Sequence, residues 1–136
     1  MTDTVTGSDA EWILKTMVAM AAADGKPDAK EISLIQQIYE KDSGRTVGAA
    51  EVEAMANDMV ANPDFLASLR AAARHLDTPT KEEIVRAAYL VLLADGIIQA
   101  TERKKLADIA AALEIPEIHF GAILEDLAVW LAAQHR

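Results

Sequence analysis

The stretch AAADGKPDAKE (21–31) holds an Asp-Gly pair, Asp24-Gly25, with Glu31 seven residues after the aspartate. The pattern returns as LLADGIIQATE (92–102), where Asp95-Gly96 is followed by Glu102. The two copies of Asp-Gly-x5-Glu stand 71 positions apart in a chain of 136 residues, each after a long apolar stretch and before an amphipathic one. Aligning 23–38 with 94–109 pairs Ala29 with Ala100, Glu31 with Glu102, Ile35 with Leu106 and Ile38 with Ile109. The repeating unit is therefore apolar helix, Asp-Gly turn, second helix. One such hairpin cannot cover its own apolar face, so two are expected to pack about a pseudo-two-fold axis. The pattern allows the Asp-bearing ends either to face one another or to lie at opposite poles.

Outward from the two motifs, helix signals continue. Ser8-Asp9-Ala10-Glu11 reads as a capping box, followed by Ile13, Met17, Met20 and Leu14, Val18, Ala21 at helical spacing. Asp24-Gly25 ends that helix, glycine being the usual left-handed terminator. Asp28-Ala29-Lys30-Glu31 is a second capping box, opening a helix through Ile32, Ile35, Ile38 and Tyr39. KDSGRTVG (41–48) reads as a loop. A third helix carries Val52, Met55 and Met59 on one face. Asn62-Pro63 is expected to open a fourth, through Leu66, Leu69 and Ala73 to about Leu76.

Thr78-Pro79-Thr80 starts a fifth helix running to Asp95. Between Ile84 and Ala94 it is apolar almost all round apart from Arg86, which marks it as the central, most buried helix. A sixth covers about 100–113, with Leu106, Ile109, Ala110 and Leu113 inward. Ile115-Pro116-Glu117 opens a seventh through Ile118, Ile123, Leu127 and Trp130. No stretch alternates long enough to compete as a strand. The expected fold is all-α: one domain of about seven helices over 8–134, built from two pseudo-repeated helix-turn-helix units, with 1–7 as a flexible tail.

Composition agrees. Apolar residues make up 51% of the chain but aromatics only 4%, and alanine is abundant, which favours helix over sheet. A net charge of −9 argues against nucleic-acid or anionic-membrane partners, because phosphates are repelled. The absence of cysteine excludes disulfides, thiolate zinc sites and a cysteine nucleophile. MTDTVTGSD lacks the basic and apolar regions of a signal peptide, and AAYLVLLA (87–94) is too short to span a bilayer. The expectation is a soluble cytoplasmic protein without direct membrane insertion.

MVAMAAADGKPDAKEISLI and YLVLLADGIIQATERKKLADIA resemble the two halves of a tellurite-resistance TerB-like domain, a unit also fused to J-domain co-chaperones of the DjlA type. The resemblance covers most of 10–132 in order and spacing. It implies an all-helical, non-catalytic domain from tellurite-resistance and general stress operons, with acidic residues that bind a divalent metal. Residue by residue those map onto Asp24, Glu31, Asp95 and Glu102. Asp28 is a weaker member, since its counterpart in the second copy is the neutral Gln99.

Plain helix chemistry competes with this reading. Gly25 and Gly96 can be ordinary terminators, and Glu31 with Asp28 is explained by a capping box alone. The aspartates resist that account. Asp24 and Asp95 fall at helix C-termini, where the macrodipole makes a carboxylate cost roughly 0.3–1 kcal/mol. If the four carboxylates converge, they cannot all stay ionised without a counter-charge. Oxygen-only ligands point to a hard ion, Ca2+ or Mg2+, with Mn2+ also admitted. Zinc is disfavoured because His75, His119 and His135 are scattered and without a ligand at helical spacing. An EF-hand is excluded, since its glycine occupies the sixth loop position and here follows the first Asp directly.

Other chemistries lack their motifs. GKPDAKE is no phosphate loop, and the serines have neither an elbow motif nor triad partners. Trp12, Trp130 and Met17, Met20, Met55 and Met59 are expected in the core. Two functions follow: a metal-binding protein-interaction module, or a purely structural scaffold in which the same acids only cap helices. The expected partners are other proteins, or a second copy of the chain in a homodimer.

Overall fold

Ile13, Leu14, Met17, Val18 and Met20 recur three and four residues apart, and α1 (Gly7–Ala21) turns all five into the interior. The structure, a computed structural model, describes residues 7–23, 25–95 and 98–134; the side chains of Ser8 and Asp95 fall outside that description. The expected tail, 1–7, lies outside it except for Gly7, which begins α1. Thr16 is fully buried, and its hydroxyl donates to the carbonyl of Trp12 at 2.7 Å, so its one donor is satisfied inside the helix.

The partner of α1 is α5 (Thr78–Leu92), and theirs is the most extensive helix–helix contact in the fold. Asp77 starts α5 by accepting the Thr80 N–H at 2.9 Å, with Pro79 in the first turn, where its missing N–H costs nothing. Ile84, Val85, Ala87, Ala88 and Val91 are sealed from solvent, and the two alanines let the backbones approach closely. The last turn tightens into a 3-10 segment, Leu93–Asp95.

The other helices surround this pair. α2 (Ala29–Ser43) packs on α1 and α5, and α3 (Ala49–Ala61) on α1 and α2. α4 (Phe65–Ala72), continued by a 3-10 turn at Ala73–His75, packs on α6 (Ala100–Ala112). α6 also meets α5 and α1, while α7 (Glu117–Gln134) lies on α5 and α6. Each central helix thus touches the second helix of the other unit, α1 with α6 and α5 with α2. The all-α expectation holds, with seven α-helices and no strand among the described residues.

Several local expectations are corrected. The loop expected from residue 41 starts later, because α2 runs on to Ser43. The Ser43 hydroxyl donates to Tyr39 O at 2.6 Å and accepts the Arg45 N–H at 3.1 Å, and Gly44 ends the helix at φ +73°. Asn62 does not open α4; it closes α3, its side-chain amide donating to Asp58 O at 3.1 Å. α4 starts after Asp64 instead. On α7, Ile123 and Leu127 are buried, but Ile118 is 89% and Trp130 47% exposed. Ile118 precedes Ile123 by five residues, which turns it about 140° away from the buried face. Leu66 also faces outward, while Leu69 and Ala73 are buried.

Candidate functional site

The second helix of each unit opens with a glutamate three residues into its first turn. In α2 this makes a complete capping box. Asp28 Oδ1 accepts the Glu31 N–H at 2.8 Å, and Glu31 Oε1 accepts the Asp28 N–H at 3.0 Å. In α6, Glu102 Oε1 accepts the Gln99 N–H at 2.9 Å, while the Gln99 side chain makes no capping bond. The same backward bond forms in α3, from Gly48 N–H to Glu51 Oε1 at 3.2 Å. A glutamate at this position is thus a helix-start device used beyond the repeat. Each of these bonds engages one oxygen of a two-oxygen carboxylate.

Ahead of α2, Gly25 adopts φ +128°, a conformation that disfavours any side chain, and its N–H donates to Ala22 O at 3.1 Å. Asp24 itself, the Asp95 side chain and Gly96 lie outside the described residues.

The flanks of both turns are described. Leu93 and Ala94 share a cavity with Leu34, Gln37 and Ile38 of α2. At the other end of α2, Lys41 and Asp42 line a cavity with Pro79, Thr80 and Glu83 from the start of α5. α2 and α5 therefore run antiparallel. Ala22 and Ala23, just past α1, share a groove with Lys105 and Ile109 of α6. The residues preceding each turn thus abut the second helix of the opposite unit.

That groove measures about 580 Å³ and also takes in Met20, Met59, Phe65, and the exposed Val60 and Leu66. Among the described residues no group of three or more His, Asp or Glu side chains is placed to hold a metal ion. Asp28, Glu31 and Glu102 do not make a metal centre by themselves. A centre at the repeat needs Asp24 and Asp95 as well, and the donor set would then be all oxygen, which suits Ca2+ or Mg2+.

A second acidic feature escaped the sequence reading. Asp42 of α2 and Glu83 of α5 interact directly where α7 crosses them. Burial and the neighbouring Asp42 carboxyl push Glu83 up to about 7, with Arg86 and Lys41 opposing. Burial likewise raises Asp42, against the hydrogen bonding of Glu83 and the charge of Lys41. Asp42 Oδ2 is buried without a hydrogen-bond partner. One residue before Glu83, Glu82 Oε2 meets His119 Nε2 of α7 at 2.5 Å. No spacing pattern joins positions so far apart in the chain, so only KEEIVR, a pair of glutamates entering an apolar helix, hinted at this cluster.

Asp77, at the start of the same helix, behaves oppositely. Its hydrogen bonds to the Thr80 side chain and backbone hold it below the usual carboxylate range.

The family model described as tellurite resistance protein TerB matches residues 10–125 of this chain. No curated protein and no solved structure gives a match. Among the described residues no helix is long and apolar enough to cross a membrane.

Proposed function

The chain belongs to the tellurite resistance protein TerB family, and on that premise we propose that it is a non-catalytic, protein-binding module whose shape is set by a divalent cation. The ligands would be Asp24 and Asp95 from the two turns, with Glu31 and Glu102 from the helix starts that follow. Asp28 contributes less, because its Oδ1 caps α2 and its counterpart is Gln99. A hard cation would neutralise the repulsion among these carboxylates and join the two units without chemistry of its own.

The observation that carries this reading is the crossed packing of the flanks: Ala22 and Ala23 against α6, Leu93 and Ala94 against α2. This packing brings the end of each apolar helix toward the helix that bears the other copy's glutamate. It also ties the first turn to the groove, since Ala22 and Ala23 line it beside Val60 and Leu66. A cation that tightens the turn would reshape the surface a partner protein meets.

Thermal unfolding of chelator-stripped protein against Ca2+, Mg2+, Mn2+ and Zn2+ tests the site. A ligand at a hundredfold excess over its dissociation constant adds about 2.7 kcal/mol. A selective rise with one hard cation is expected, lost when Asp24→Asn and Asp95→Asn are combined. An unchanged rise in that double variant would overturn the assignment. The capping bonds of Asp28, Glu31 and Glu102 favour a second reading, a scaffold without metal, in which no ion shifts the melting temperature at all.

A further inference from the structure

We propose that the junction of α2, α5 and α7 is a proton-operated clasp, closed when the Asp42–Glu83 pair shares a proton and loosened when the pair loses it. α7 is the least anchored long helix. Of its 18 residues only Ile123 and Leu127 are buried, and Val129 is 67% exposed. Two carboxylates sit side by side on α5 where α7 passes, Glu82 and Glu83.

The first, Glu82, meets His119 Nε2 and ties α7 directly to α5. The second lies in the cavity beneath the C-terminal half of α7. Asp42 and Lys41 face it from α2, Glu83 and Arg86 from α5, and Asp126 from α7, beside Leu127 and Trp130. With one proton shared by Asp42 and Glu83, the pair and Asp126 carry two negative charges, matched by Lys41 and Arg86. Loss of that proton leaves one negative charge in excess against a carboxylate on α7. It also leaves Asp42 Oδ2 buried and charged without a partner. That loss weakens the interface, and Glu83, pushed up to about 7, puts the transition close to neutrality. The consequence is that the inner face of α7, with Ile123 and Leu127, becomes available to a partner as pH rises.

Trp130 borders the cavity and reports on it. In the full chain carrying Trp12→Phe, the Trp130 emission is expected to shift to the red with a midpoint near pH 7 between about pH 5.5 and about 8.5. The midpoint should disappear in Glu83→Gln, which stays in the closed spectrum throughout. Faster amide exchange along 117–134 at the upper end of the range, corrected for intrinsic exchange, should accompany the red shift. A flat emission profile, or an unchanged midpoint in Glu83→Gln, overturns the proposal. Should Trp12→Phe fail to fold, the Trp130 indole N–H resonance of the unmodified chain gives the same readout. Metal addition should leave this midpoint in place, so the clasp stands or falls separately from the cation site.

Discussion

α5 and α7 are both long, apolar helices, and they end in opposite situations. α5 buries seven of its 15 residues in the centre of the fold, whereas α7 buries two of 18 at its edge. Apolar content does not separate them. What separates them is how far neighbours surround them: α5 packs on α1, α2, α6 and α7, whereas the main packing of α7 among the described residues is on α5 and α6. Burial is a property of the place a helix occupies, and hydrophobic sequence only permits it. The central helix therefore holds stability, and the peripheral one is left free to respond.

The largest effect that would break this contrast is at the core. Ile84→Ala on α5 is expected to cost about 2–5 kcal/mol, and Ile118→Ala on α7 less than about 0.5 kcal/mol, by denaturant unfolding. Similar costs for the two would show that α7 is packed by something beyond the described contacts.

Next comes the face that α5 presents to α7. A carboxyl raised in the folded state contributes stability that is present below its unfolded value, 4.5 for Glu83, and is lost as pH climbs through about 7. Glu83→Gln cannot ionise. It should match the parent near pH 4.5 and exceed it at about pH 8 by roughly 1–2 kcal/mol, a figure reduced for solvent screening at a partly open site. Asp77 runs the other way, its contribution present above 3.8 and lost as pH falls through its lowered value. Stability curves of parent and variant across pH separate the two ends of α5.

The smallest effect lies at the joint leading into α7. Glu114 takes a left-handed conformation, φ +61°, where α6 closes with the Ile115 N–H on Ala110 O at 3.0 Å. A residue other than glycine is strained there, so Glu114→Gly should stabilise by about 0.5–1 kcal/mol, seen as a rise in melting temperature. A loss of stability would mean that the Glu114 side chain anchors the joint.

Much of this was legible along the chain. Helices repeat their buried face every three to four residues, so Ile13 and Met17, Ile35 and Ile38, and Leu106 and Ile109 could be assigned inward from spacing alone. Asp28-x-x-Glu31 announced its capping box because that bond joins residues three apart. Where two assignments compete for one residue, local reading failed. Asn62 before Pro63 looks like a helix start, but its amide is taken by the preceding helix at Asp58. Trp130 looks like core by its chemistry, yet it sits half-exposed at the rim of a cavity.

By itself, the sequence determined the helical class, the places where most helices begin and end, and the doubled Asp-Gly-x5-Glu, because each rests on contacts within a few residues. Only the tertiary structure decided that α5 takes the centre and α7 the edge, and that the ends of α1 and α5 meet α6 and α2. It alone joined Asp42 to Glu83 and Glu82 to His119. These are contacts between residues distant in the chain, and their burial and charge arise from packing that no local pattern encodes.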